Sequence, residues 1–209
     1  MAPLQTAATL PAGDYGVQVE GGANGAFFGV KTTSGTARVR RGMTAETEVA
    51  GELSLLHVQG ESAANTDRNA YAARFGVKRL MLPFLAIGAG MGGGGSVAGG
   101  FVSPDVLAIL SWENPILIPF LSLRASLSSP IGARRVDISS ASDGRGRFVF
   151  SPHPTWLGGA TLGGRVPIGE QARGVVRASV LAGASYSHLA DENDKAGILS
   201  LSAAAEIVF

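Results

Sequence analysis

Cysteine is absent from this chain, which excludes a disulfide framework, a thiolate metal site, a thiol nucleophile and lipidation on sulfur. Charge is scarce: 16% of residues are charged, against about 25% in a typical soluble domain. A net charge of +1 leaves no electrostatic footprint for nucleic acid. Long apolar runs are missing as well. No segment reaches the roughly 18 apolar residues of a transmembrane helix, and the 80–89 block is broken by Pro83 and Gly88. Helical periodicity is nearly absent. No secretory leader is recognisable ahead of Pro3, so an exported protein is expected to appear here in its mature form.

What the chain does have is glycine (30 residues), apolar side chains (45%) and alternation along most of its 209 residues. A period of two places successive side chains on opposite faces of a strand. Ten strands are expected, at about 14–22, 35–41, 46–58, 69–79, 84–92, 100–112, 116–128, 155–167, 173–188 and 196–209. An eight-strand count, with one hairpin misread, stays open. The connections alternate in length. Those at 23–34, 59–68, 92–99, 130–154 and 189–195 are long, while those at 42–45, 79–83, 113–115 and 168–172 are short. Within 130–154, two alternating stretches flank Asp143-Gly144, a strong hairpin dipeptide, and an exposed hairpin is expected there.

The last strand is the most telling. Leu199, Leu201, Ala203, Ala205, Ile207 and the terminal Phe209 alternate with residues that are small or polar apart from Val208. In this the chain resembles the bacterial outer-membrane β-barrel proteins, whose C-terminal phenylalanine is read by the barrel-insertion machinery. Arg41-Gly42-Met43-Thr44-Ala45-Glu46 also looks like one of their tight periplasmic turns. The resemblance implies an all-β fold: a transmembrane antiparallel up-and-down barrel over 1–209 with both termini in the periplasm. It implies outer-membrane lipid and the insertion machinery as partners, other envelope proteins as candidate partners, and Phe209 as the insertion signal. Long external loops and short periplasmic turns fit that topology.

Charge placement decides which face is which. The second strand puts Arg38 and Arg40 opposite Ala37 and Val39, and the fourth puts Arg74 and Lys78 opposite Ala73, Phe75 and Val77. Facing lipid near the midplane, each arginine would cost up to about 2–4 kcal/mol. Several such terms exceed a domain stability of about 5–15 kcal/mol. The charged face is therefore expected to line the lumen: Glu20, Glu46, Glu48, Glu52, Asp105 and Glu206 against Arg38, Arg40, Arg74, Lys78, Arg124, Arg165, Arg173 and Arg177. Near-balance of sign suggests an internal ion-pair ladder, densest on strands two to four, with interior Gly and Ser making room for long side chains. Leu107, Ile109 and Leu181 fall on the same face. Tyr15, Tyr71, Trp112, Trp156 and Tyr186 are candidate girdle aromatics near strand ends.

Specific chemistry is sparse. Gly88-Ala89-Gly90-Met91-Gly92-Gly93 matches a dinucleotide fingerprint by letter, but the glycines that follow preclude the required helix,. The run is an external loop or a glycine-rich strand bend. His57, His153 and His188 are far apart, and Asp191, Glu192 and Asp194 read as a solvated loop. No cofactor, metal or catalytic set is expected. The function expected is a structural or accessory barrel with a charged, largely plugged lumen, working through external loops or as a subunit of an envelope assembly. A narrow passive pore or transporter is the alternative. An enzyme acting on lipid or lipopolysaccharide would need His57 or His188 beside a serine and an acid.

Overall fold

The computed structural model describes residues 3–25, 32–58, 68–96, 99–132, 136–139, 147–150, 153–168, 176–190 and 195–209. Alternation dominates the sequence, and strands dominate the structure: β1 (Tyr15–Gly25), β2 (Thr32–Gly42), β3 (Thr47–Val58), β4 (Arg68–Leu82), β5 (Leu85–Ser96), β6 (Gly99–Ser111), β7 (Ile118–Ile131), β8 (Val136–Ser139), β9 (Arg147–Phe150), β10 (Thr155–Ile168), β11 (Arg177–Ala190) and β12 (Lys195–Val208). Ten of these close into an antiparallel barrel in the order β1-β12-β11-β10-β7-β6-β5-β4-β3-β2. The eight-strand count is thereby excluded. β8 and β9 form a separate two-stranded sheet, the hairpin expected within 130–154; its turn, with Asp143-Gly144, lies outside the described residues. Every barrel strand pairs with its neighbours in sequence or across the closing seam. At that seam Tyr15 and Phe209 exchange two main-chain hydrogen bonds of 2.8 and 2.9 Å. The end carrying these residues is termed the terminal end below, and the opposite one the far end.

Two expectations are corrected. The 92–99 run is not a loop: β5 continues through Gly92, Gly93, Gly94 and Gly95 to Ser96, and β6 starts at Gly99. Glycine is tolerated here because outward Tyr71 lies across from Gly95 and its ring would meet any Cβ placed there. This aromatic cover offsets the missing side chain. With that change the far-end connections are not uniformly long, since only 97–98 separate β5 from β6. Glu46 is the second correction. It belongs to the turn between β2 and β3, where the Thr44 hydroxyl accepts hydrogen bonds from the backbone amides of Glu46 and Thr47 at 3.2 and 3.0 Å. That turn interrupts the alternation. Glu46 therefore sits on the terminal rim, 61% exposed and 3.6 Å from Arg79, not in the lumen.

Parity is consistent around the wall. Outward positions carry Val17, Val39, Leu53, Phe75, Val106, Leu123, Leu162 and Leu201, all substantially exposed. Among the described outward residues of the barrel strands, the charges are Arg41, Arg79 and Lys195, each near a strand end. Aromatics mark both rims. At the terminal end Tyr15 stacks on Phe209 with ring centroids 6.2 Å apart, and the Arg41 guanidinium lies 5.2 Å above the Tyr15 ring. Trp112 is exposed on the same rim, and Tyr71, Trp156 and Tyr186 are exposed toward the far end. An apolar belt bounded by aromatics, on strands of 11 to 15 residues, is the exterior of a membrane-spanning barrel.

Candidate functional site

The lumen is filled by ions and by the chain itself. Direct cross-strand pairing places Arg38 opposite Glu52 and Glu48 opposite Lys78. Arg38 bonds Glu52 at 2.8 Å, while Glu48 takes Arg40 at 3.2 Å and Lys78 at 3.1 Å. Glu206 of β12 bridges Arg40 and, at 3.0 Å, Arg165. The Ser179 hydroxyl donates to the same carboxylate at 3.0 Å. A second cluster crosses from β4 to β7: Asp105 accepts two 2.6 Å hydrogen bonds from Arg74 and one of 3.2 Å from Arg124. Gly76 and Gly90 stand where any Cβ would meet the Arg74 guanidinium; that is the room a long inward cation needs. Arg177 reaches the rim and pairs with Asp14 at 2.6 Å. Arg173 lies outside the described residues. Burial in such a medium is tolerated because these charges meet partners of opposite sign with well-formed hydrogen bonds; Glu20, also inward, forms no ion pair within 4.0 Å among the described residues.

Sequence reasoning missed the largest occupant of the lumen. Residues 3–7 and Leu10 are buried, because the chain ahead of β1 runs up inside the barrel from the terminal end. A turn at 11–14 redirects it: the Asp14 amide donates to the Pro11 carbonyl at 3.1 Å, and Gly13 adopts φ +92°. Only glycine enters that left-handed region without strain. Gly42 lacks a Cβ where the Pro11 carbonyl packs. Wall side chains then satisfy the main chain of the inserted segment. Lys78 Nζ donates to the carbonyls of Thr6 and Ala8 at 3.1 and 2.9 Å, and Gln18 Nε2 to that of Leu4 at 3.0 Å. Ser111 Oγ accepts from the Ala7 amide at 2.9 Å and Glu48 from the Leu10 amide at 3.1 Å.

Packing completes the fit. Leu4 clusters with Phe120, Leu181 and Ala204, and Ala7 with Ala86, Leu107 and Ile109. Gly183 faces Leu4 and Gly163 faces Phe120 where a Cβ would collide. The apolar residues on the inward face, anomalous for a wholly ionic lumen, are the socket of this segment. They were the available signal.

Beyond the segment, toward the far end, a cavity of about 300 Å³ remains. Pro3, Glu20, Arg38, Glu52 and Arg124 line it at one end. Hydroxyls line its middle, with Thr36 and Ser54 bonded to each other at 3.0 Å. Leu56, Phe101, Leu157, Leu189 and Ile198 add apolar walls. The histidines do not meet here. His57 and His188 occupy outward positions, and His57 Nδ1 lies 2.9 Å from Asn69 Oδ1. Among the described residues no three His, Asp or Glu side chains converge as metal ligands.

No family description matches the sequence, and no curated protein matches it either. Solved structures do. The chain is similar to Neisserial surface protein A (NspA) at 12% identity, covering 94% of this chain and 97% of that one, with a TM-score of 0.39. It is also similar to a mutant of the ferric enterobactin receptor (PfeA) from Pseudomonas aeruginosa at 8% identity, TM-score 0.32, over 87% of this chain and 32% of the receptor. A second mutant of that receptor gives 8% identity and a TM-score of 0.31 over 85% and 31%. This chain thus spans about a third of the receptor's length. Its own strand pairing and inside-out wall define it as a closed ten-stranded antiparallel β-barrel built for lipid.

Proposed function

We propose that this chain is a closed barrel of the bacterial outer membrane, a structural or accessory envelope component that acts through its far-end surface or through partner proteins and carries no catalytic centre. The observation that carries this reading is the segment at 3–10, buried in the lumen and pinned by side chains from β1, β3, β4 and β6. A ten-stranded wall encloses little more than the eight-stranded barrels whose interior side chains fill, and far less than 16–18-stranded porins. Ion pairs and an inserted segment in that space support a closed lumen without a water path of porin size. An enzyme at the outer rim would need His57 or His188 beside a serine and an acid, and the His57 Nδ1 atom lies 2.9 Å from Asn69 Oδ1; β12 with Phe209 is suited to recognition by the insertion machinery.

Planar-bilayer recording tests the reading. The intact protein should give no steady nanosiemens-scale conductance, and a chain lacking residues 3–10 should leak measurably. A reproducible open channel from the intact protein would overturn the closed barrel in favour of the passive pore.

A further inference from the structure

We infer that the far half of the lumen is a binding cup for a small organic ammonium with an apolar body. The inference rests on the closed-barrel reading, because the floor of the cup includes Pro3 of the inserted segment. At about 300 Å³ the space matches the lower end of small-molecule sites, roughly 300–1,000 Å³. What it would hold follows from which polar groups retain capacity. Arg38 is committed to Glu52 and to Gln18, at 2.8 and 3.2 Å, and Arg124 is held by Asp105 at 3.2 Å. Glu20 differs: among the described residues it forms no ion pair within 4.0 Å, and around it stand Arg38, already held by Glu52, the Glu52 carboxylate itself and the Leu4 backbone amide. A carboxylate with open acceptor positions therefore faces the cavity.

Higher up, the Ser187 hydroxyl lines the same space, 3% exposed and without a hydrogen-bond partner. A buried polar group of this kind is paired in most folded proteins, so it marks a place where a ligand hydroxyl or amine is wanted. Leu157, Leu189 and Ile198 supply the apolar side. An N–H⁺ donor at Glu20 with a hydrocarbon body among Leu157, Leu189 and Ile198 matches the two ends of the cup, and a hydroxyl or amine carried on that body would partner Ser187. An anionic head would find Arg38 and Arg124 already engaged by Glu52 and Asp105, with the Glu20 carboxylate beside it.

Isothermal titration of the nanodisc-embedded full chain, with empty nanodiscs as the partition blank, provides the test. Hexylammonium should bind saturably and hexanoate should not. Glu20→Gln should weaken hexylammonium at least tenfold, and Leu157→Trp, which fills the cup, should abolish it. Both variants should keep the unheated gel mobility of the folded barrel. Equal binding of the two probes, no saturable hexylammonium binding, or unchanged affinity in Glu20→Gln would each overturn the cup. Bilayer recording on the same samples separates the failures. A non-conducting barrel that ignores hexylammonium rejects the cup alone, whereas a conducting one rejects the closed lumen beneath it.

Discussion

Asp105 illustrates what single residues do inside this wall. Fully buried as a side chain, it pairs with both Arg74 and Arg124 from two other strands. Removing one member of a buried pair leaves an uncompensated charge and costs about 3–5 kcal/mol. Asp105→Ala should therefore lower the urea midpoint of the detergent-folded barrel by an amount equivalent to that range, and Arg79→Ala at the exposed Glu46 pair should leave it nearly unchanged. Arginine in the lumen also depends on what faces it. Gly90 opposes the Arg74 guanidinium, so a larger residue there displaces the cation that Asp105 requires. Most of the ladder, from Arg38, Arg40, Glu48 and Glu52 to Arg74, Lys78, Asp105, Arg124, Arg165 and Glu206, was readable from alternation and sign alone; Glu20, expected in it, faces the lumen without an ion pair among the described residues. Glu46 was not, because the turn held by Thr44 resets the parity one residue before β3 begins.

At the scale of elements, the inserted segment and the turn that feeds it are the least ordinary parts of the fold. A Cβ added at Gly13 would meet no atom within 4 Å, yet the residue sits at φ +92°, so Gly13→Ala isolates backbone strain. It should cost about 1–2 kcal/mol, read as a shift in unfolding midpoint. Leu4→Ala removes the apolar anchor between Phe120 and Leu181 and should cost about 2–5 kcal/mol, again by denaturant unfolding. The strands themselves were legible, since a period of two survives sequence noise over ten or more residues. The segment at 3–10 was not, because it has no period to detect: its main chain is satisfied one group at a time by Lys78, Gln18, Ser111 and Glu48. Only Leu107, Ile109 and Leu181, apolar where charges were expected, pointed to an occupant. The glycine run of β5 misled for a related reason: composition suggested a loop, and pairing with β4 and β6 overrode it.

For the whole molecule, the decisive property is the inverted distribution of polarity. Leu53 lies near mid-height on the outer wall, 65% exposed. Leu53→Arg should destabilise the folded state in bilayers by about 2–4 kcal/mol, and Tyr15→Arg, at the rim, by no more than about 1 kcal/mol. A depth profile of this kind, measured by reversible folding into vesicles, has no counterpart in a soluble barrel, and a flat profile would remove the membrane from the account. Cavity shape, by contrast, could not be foreseen: it depends on how far the inserted chain climbs, which no strand pattern encodes.

The direction of that climb has a practical outcome. Pro3 already borders the cup, so the segment that stops the lumen also sets the depth of the space above it. Pro3→Gly should deepen the cup while the bonds from Lys78 and Gln18 to Thr6, Ala8 and Leu4 hold the rest of the stopper in place.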